Sequence, residues 1–177
     1  MAEISEISEN VRKAQNGDTA AFARLYELVY KDMYHIALYS LRSSHDACDA
    51  VSETVLDAFG SIGRLQKPES FRSWIMRILS AKIKQQQKAY FSAKTDIDDA
   101  PEDELSEDFD YESAELRDAL DRLDPQSRLI LSMSVLGGYT GDEIAQVCGL
   151  SAGTVRSKLT RIRKRLRMEL QDCTAEA

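Results

Sequence analysis

The chain has 177 residues, of which 30% are charged, and its formal net charge is −7. That length allows one mid-sized domain or two small ones, and an acidic total disfavours indiscriminate binding to nucleic acid. No apolar run approaches the roughly 18 residues of a membrane span and no basic leader precedes one, so we expect no membrane insertion and a cytoplasmic location.

Cysteine and histidine usage excludes several classes of site. Cys48, Cys148 and Cys173 form no CxxC pair, which excludes the spacing of a disulfide framework or a zinc finger. His45-x-x-Cys48 offers two metal ligands where a structural site needs four, so we interpret the pair as incidental. Because there is also no Ser/His/acid set and no Gly-rich phosphate loop, we expect a protein that is not an enzyme and that holds no metal or cofactor.

Apolar residues at helical spacing predict four helices in the N-terminal half. The second is capped by Asp18 or Thr19 after the turn Asn16-Gly17, and the third begins at Asp46. Phe59 belongs to the predicted buried side of the third helix, and Gly60 to Ser70 is predicted to be a loop. The predicted helices start at residues 4, 19, 46 and 71 and end near 15, 41, 59 and 91.

Three carboxylates of the third helix lie four residues apart, at Asp49, Glu53 and Asp57. They form an acidic ladder on a face other than the apolar one, where like charges repel by a few tenths of a kcal/mol per pair. Such a ladder is tolerable for solubility, and it is useful if a basic partner docks there.

The fourth helix carries Phe71 and Trp74 at its start. Core packing is the favoured interpretation of these aromatic residues. The alternative is that they form, with the preceding loop and Arg77, a site for stacking and phosphate contact with unpaired bases. Further along the helix, the sequence predicts a mildly basic solvent face made of Lys82, Lys84, Lys88 and Lys94.

The composition then changes abruptly. Residues 95–116 contain eleven Asp and Glu and no Lys or Arg, and Pro101 lies among them. Such a segment cannot bury enough surface to fold alone, so we predict an extended linker. A solvated tether is the favoured interpretation, and a sharper one is that it lies in a basic channel of a large partner in place of nucleic acid. The predicted fold is all-α, with a helical domain at 1–94, an acidic linker at 95–112 and a helix-turn-helix domain at 113–177.

The segment from Gly141 to Leu170 predicts two helices around a tight turn. Ile144, Ala145 and Cys148 give the first helix a small apolar face, Gly149 ends it, and Ser151 caps the second. An Ala, a Gly four residues later and a Val six after that, here Ala145, Gly149 and Val155, are the packing requirements of a helix-turn-helix. The second helix has an apolar stripe of Val155, Leu159, Ile162 and Leu166.

The second helix is also strongly basic. Between residues 150 and 171 there are seven Lys and Arg and a single acid, Glu169. Most charge runs are solvated faces. Here the charge has one sign and lies on the element that a helix-turn-helix inserts into a major groove, which favours DNA contact. The residues that point away from the apolar stripe, or flank those that do, are Arg156, Ser157, Thr160, Arg161, Arg163, Lys164 and Arg167.

Taken together, these motifs resemble a bacterial RNA polymerase sigma factor of the extracytoplasmic-function class. LDRLDPQSRLILSMSVLGGYTGDEIAQVCGLSAGTVRSKLTRIRKRL is similar to that family's region 4, with GTVRSKL and RIRKRL at the family's spacing. AFARLYELVY, DACDAVSETVLDAF and SFRSWIMRI are similar to its region 2 and follow in the same order.

The resemblance implies a promoter-specificity subunit that binds core polymerase and directs initiation by recognising −10 and −35 promoter elements. Its implied partners are core polymerase, through the largest-subunit coiled coil and the flap, promoter DNA, and an anti-sigma factor. The acidic ladder of Asp49, Glu53 and Asp57 lies where the family docks on the coiled coil. The positions implied for the −35 element are Thr154, Arg156, Ser157, Lys158, Arg161 and Lys164, and those implied for the −10 element are Arg64, Lys67, Ser70, Phe71, Trp74 and Arg77.

The chain departs from the family pattern in its N-terminal half. Ser52, Ala81 and Gln85 stand where the family usually has Gln, Asn and Asp. Two other hypotheses remain at this stage: a stand-alone helix-turn-helix regulator that binds DNA as a dimer, and a protein-binding adaptor that does not touch DNA. The dimer would need a palindromic half-site spacing, and the adaptor would tolerate charge reversal at Arg156 and Arg161.

Overall fold

The computed structural model describes residues 2–94 and 119–175, and every regular element in these ranges is helical. The predicted linker and the predicted start of the C-terminal domain at 113–118 lie outside the described residues. No helix within the described ranges is long and apolar enough to cross a membrane. The helices are α1 (Ala2–Gln15), α2 (Thr19–Leu41), α3 (Ser44–Ser61), α4 (Phe71–Lys94), α5 (Pro125–Val135), α6 (Gly141–Cys148) and α7 (Ala152–Ala175), and residues 119–121 are also helical.

Side-chain caps fix the helix boundaries of the N-terminal half. Asp18 accepts a hydrogen bond from the backbone N–H of Ala21 at 3.0 Å, which confirms the predicted start of α2. Ser43 accepts one from the N–H of Asp46 at 3.2 Å, so α3 begins at Ser44, two residues before the predicted start. The predicted loop is also shorter than expected, because α3 continues to Ser61 and two 3₁₀ turns, Ile62–Arg64 and Pro68–Ser70, follow it.

Helix α2 lies at the centre of the molecule. It packs against α1, α3 and α4 in its own half of the chain and against α5 in the other half. Its predicted apolar positions Leu25, Val29 and Met33 are at most 1% exposed. The prediction for Phe59 was wrong: its ring is 52% exposed, and only one edge packs against Phe22, with ring centroids 5.1 Å apart.

The two halves of the chain share one hydrophobic core. Helices α5 and α6 lie against α2 and α4, and the buried residues Ile130, Tyr139 and Val147 belong to the same cluster as Ile36 and Leu79. We call this contact the seam. The polar ties that cross it include a hydrogen bond from Lys84 Nζ to Cys148 O at 3.2 Å, one from Ser80 Oγ to Val147 O at 3.4 Å, and an ion pair between Arg42 and Asp121 at 2.6 Å.

One glycine of the seam allows a close approach. A Cβ added to Gly137 would lie 2.6 Å from the ring of Tyr139 and 3.0 Å from Cδ1 of Ile36. Tyr139 itself is 8% exposed, and burial raises its pKa to about 12, with Asp32 and Glu143 adding to the shift and Arg72 opposing it. The seam is therefore packed so closely that it has no room for a methyl group at position 137.

Candidate nucleic-acid interface

The helix-turn-helix is built from local capping interactions. Thr140 and Glu143 form a reciprocal capping box at the start of α6: the Thr140 hydroxyl accepts from the Glu143 N–H at 3.3 Å, and Glu143 accepts from the Thr140 N–H at 2.8 Å. Gly149 ends α6 at φ 69°, the left-handed conformation predicted for it. Ser151 Oγ accepts from the Thr154 N–H at 3.1 Å, which confirms the predicted cap of α7.

Helix α7 buries its apolar stripe and exposes its basic face. Val155, Leu159 and Ile162 are between 0% and 8% exposed, as predicted. Lys158 is half-buried, and the other positions assigned to the −35 element are exposed: Thr154, Arg156, Ser157, Arg161 and Lys164. The one ion pair that the described residues make to these positions is a long one, 3.5 Å between Arg156 and Asp142, two exposed side chains. Within the described residues, the basic face of α7 is thus turned to solvent, apart from Lys158, and few acidic side chains lie beside it.

The positions assigned to the −10 element are not uniformly accessible. Arg64, Lys67 and Arg77 are exposed. Phe71 is 1% exposed, and its ring lies 6.0 Å from that of the half-buried Trp74. Of the two interpretations given to these aromatic residues, core packing therefore holds for Phe71, whereas Trp74 lies at the edge of the core. The remaining position, Ser70, is half-buried at the end of the second 3₁₀ turn.

The acidic ladder is exposed, but its charge is partly neutralised from within the chain. Lys82 of α4 places its Nζ 2.8 Å from Asp57 and 3.3 Å from Glu53. Its hydrogen bond to Asp57, followed by that to Glu53, raises the pKa of Lys82, so the lysine is firmly charged at neutral pH. At the other end of the ladder, Asp49 lies 3.6 Å from Nδ1 of His45.

The predicted basic solvent face of α4 was therefore partly wrong. Lys82 turns toward the acidic ladder and Lys84 toward the seam, while Lys88 is exposed. The side chain of Lys94 lies outside the described residues. Spacing along one helix could not reveal these partners, because they belong to neighbouring helices.

Two exposed apolar residues beside the acidic ladder were missed. Leu56 is 72% exposed and Phe59 is 52% exposed, and both lie on α3 among the ladder carboxylates. Exposed large apolar side chains next to charged groups are typical of a surface that binds another protein. The sequence signal was available, since both residues fall off the apolar stripe that Val51 and Ala58 define, but Phe59 was assigned to the core instead.

No group of three or more His, Cys, Asp or Glu side chains suited to a metal ion occurs in the described part of the chain. What the described residues do bring together is a helix-turn-helix with an open basic helix and, on the other half, an acidic and apolar surface. These features define a class of protein: an all-α protein with a helix-turn-helix, of the kind that many DNA-binding proteins share.

Comparison with known proteins identifies the family. The model of Sigma-70 region 2 matches residues 25–89, and that of Sigma-70, region 4 matches residues 113–166. RNA polymerase sigma factor SigV of Bacillus subtilis is 27% identical over 146 residues, covering 79% of this chain and 85% of that protein. The ECF RNA polymerase sigma factor SigE of Mycolicibacterium smegmatis is 31% identical over 172 residues, covering 90% of this chain and 66% of that longer protein.

Solved structures show the same fold. CnrH, in complex with the cytosolic domain of CnrY, matches with a TM-score of 0.71 and 20% identity, covering 94% of this chain and 98% of that one. The sigma factor RpoE of Bartonella quintana, in complex with the anti-sigma factor NepR, matches with a TM-score of 0.73 and 20% identity over 85% of this chain and 96% of that one. The chain belongs to the sigma-70 family and is an extracytoplasmic-function sigma factor, a promoter-specificity subunit of bacterial RNA polymerase.

Proposed function

We propose that this sigma factor selects promoters through two weak DNA contacts, which become cooperative when core polymerase holds both. The observation that carries the proposal is the open basic face of α7 in a chain whose net charge is −7. Such a chain makes few phosphate contacts and binds free DNA poorly. When core polymerase holds both DNA contacts, forming the second one becomes an intramolecular step and gains effective concentration.

The upstream DNA contact is the basic face of α7. Arg156 and Arg161 are the residues best suited to pair with guanine, since a bidentate contact discriminates by about 1–3 kcal/mol. Lys158 and Lys164 hold phosphates and fix the register of the helix in the groove, and Thr154 and Ser157 are the polar contacts at its N-terminal end. The exposure of all of these except Lys158 supports this assignment.

The downstream DNA contact is the region where α4 begins. Arg64, Lys67 and Arg77 offer positive charge to the backbone of an opened strand, and Ser70 and Trp74 lie between them in the chain. In this proposal an unstacked base rests against Trp74, which offsets a melting cost of a few kcal/mol. Phe71 contributes as the buried support of Trp74, because its own ring is covered.

The polymerase contact is the acidic ladder together with its apolar neighbours. Asp49, Glu53 and Asp57 supply negative charge for a basic coiled coil, and Leu56 and Phe59 supply the apolar centre. In this proposal the chain acts in the cytoplasm and contributes binding but no catalytic step of its own. The seam opens, so that the domains at 1–94 and 113–177, which the acidic linker joins, take separate positions on polymerase. The proposal includes an anti-sigma partner that holds the two halves, and RpoE of Bartonella quintana was solved in complex with the anti-sigma factor NepR.

Reconstituted transcription tests the proposal. The purified chain is added to core polymerase and a promoter library, and start sites are mapped by run-off transcription. We expect discrete start sites with a shared upstream element, and the absence of selection over core polymerase alone would contradict the proposal. Footprinting without polymerase checks the alternative of a dimeric regulator, which requires tight, symmetric protection.

A further inference from the structure

The acidic ladder contains its own counter-charge. Lys82 projects from α4 onto α3 and contacts two of the three ladder carboxylates, Asp57 at 2.8 Å and Glu53 at 3.3 Å. Its side chain is 20% exposed, whereas those of Glu53 and Asp57 are 52% and 55% exposed. The lysine is therefore more covered than the two carboxylates, whose side chains remain about half exposed.

We propose that Lys82 is a built-in competitor that weakens the attraction between the acidic ladder and a basic protein partner. The inference rests on the proposed role of the ladder in docking on core polymerase, and it goes beyond that role by naming a residue that tunes the contact. Any arginine or lysine of the partner that approaches Glu53 or Asp57 meets a carboxylate that is already paired. The partner must share the carboxylate with Lys82 or displace it.

Two physical arguments support this assignment. First, Coulomb attraction between charges near a protein surface falls when a neutralising charge lies within about 3 Å of one of them, since a distant partner then faces a dipole instead of a full charge. Second, Glu53 and Asp57 belong to one face of α3 and repel each other in the absence of a cation. Lys82 relieves that repulsion in the free protein, and a basic partner relieves it in the complex, so the two cations perform the same task at the same place.

The expected effect is modest in size and strongly dependent on salt. Exposed ion pairs contribute up to about 1 kcal/mol, so removing the competing charge should tighten binding by about two- to fivefold at low ionic strength. The gain should shrink as salt is added, because a Debye length of roughly 10 Å at 0.1 M screens exposed charges. Charges at the edge of an interface act mainly on the association rate, so the gain should be in that rate.

The test measures the affinity of the full-length chain for core polymerase, without DNA, at several salt concentrations. Lys82→Met retains the apolar stem and removes the charge. Lys88→Met is the matched control, because Lys88 is exposed further along the same helix and the substitution removes the same formal charge. We expect Lys82→Met to bind about two- to fivefold more tightly at low salt and Lys88→Met to bind like the unsubstituted chain. Lys82→Gln serves as a second variant, and thermal unfolding checks that each variant is folded.

A double-mutant comparison separates competition from a general change in net charge. In an Asp57→Asn background the gain from Lys82→Met should fall by at least half, because the closest paired carboxylate is gone. Equal affinities for Lys82→Met and Lys88→Met would overturn the inference while leaving the proposed function intact. Weaker binding by Lys82→Met would also overturn it, since Lys82 would then hold the carboxylates in place for the partner. Failure of the unsubstituted chain to bind core polymerase would instead overturn the proposed function.

Discussion

The two halves of this sigma factor handle their charge in opposite ways. On α7 of the C-terminal half, Arg156, Arg161 and Lys164 are exposed, and the one ion pair that the described residues make to the positions assigned to the −35 element joins Arg156 and Asp142 at 3.5 Å. On α3 of the N-terminal half, two of the three ladder carboxylates are within 3.3 Å of Lys82, which comes from a neighbouring helix. The charges along one helix therefore predict which charges are available to a partner only where no other helix supplies a counter-charge.

The largest expected effect tests the open half. Reversing charge with Arg156→Glu and Arg161→Glu replaces two attractive contacts by repulsion, so promoter-dependent transcription should fall by at least about 100-fold. Binding to core polymerase should be unchanged. Run-off transcription and a core-binding assay measure the two quantities. The control is the reversal of Arg12 and Lys13, both exposed on α1, which should leave transcription near its original level.

The second prediction concerns the pH dependence of the seam. The pKa of Tyr139 is raised from 10.0 to about 12 by burial, so the neutral phenol favours the folded state below pH 10. Stability should then fall between pH 10 and pH 12 by up to roughly 2–3 kcal/mol as the unfolded state ionises first. Denaturant unfolding across this range measures the loss. The Tyr139→Phe variant should show a smaller loss and, because the hydroxyl has no hydrogen-bond partner among the described residues, near-normal stability at pH 7.

A pair of glycine variants compares the seam with a surface helix. Gly137→Ala forces a methyl group to within 2.6 Å of the Tyr139 ring and 3.0 Å of Ile36, so it should destabilise the protein by about 1–3 kcal/mol. Gly60→Ala lies in α3 with nothing within 4 Å of the added carbon, so it should stabilise by about 0.5–1 kcal/mol. Denaturant midpoints for the two variants should move in opposite directions. Equal shifts would mean that the seam is not closely packed in solution.

The smallest expected effect tests the half that neutralises its own charge. Asp57→Asn removes a carboxylate that already shares Lys82, so affinity for core polymerase should fall only about two- to fivefold, and less at high salt. Asp49→Asn removes a carboxylate that lies 3.6 Å from His45 rather than beside a lysine, and it should cost at least as much. Titrations at two salt concentrations compare the variants. A tenfold loss for Asp57 with none for Asp49 would reverse the comparison between paired and open carboxylates.

Sequence reasoning succeeded where one helix determines the outcome. The start of α2, the left-handed Gly149, the Ser151 cap and the apolar stripe of α7 follow from local rules, and the structure has all of them. The all-α class and the helix-turn-helix follow from the same rules. Residue roles at the two promoter elements and at the polymerase contact stay predictions.

The errors arose where two helices meet. Phe59 has apolar chemistry, and only the position of α3 relative to α2 decides that one edge is covered and the rest exposed. Lys82 and Lys84 read as a solvated basic face, yet each has its partner on another element, far away in the chain. The seam itself left no periodic signal, because two of its polar ties join side chains of α4 to backbone carbonyls of α6, and backbone groups are the same in every sequence.

The hydrogen bond between Lys84 and the carbonyl of Cys148 links the two halves of the chain and also places a cation at the end of α6. That carbonyl belongs to the last residue of α6, where a helix accumulates partial negative charge and benefits from a nearby cation. Pulling the halves apart removes the cation and leaves the end of α6 without it, just ahead of the turn that aims α7. If the halves separate on polymerase as proposed, we therefore expect α7 to be held less firmly relative to α6, so that contact with the duplex would restore its alignment.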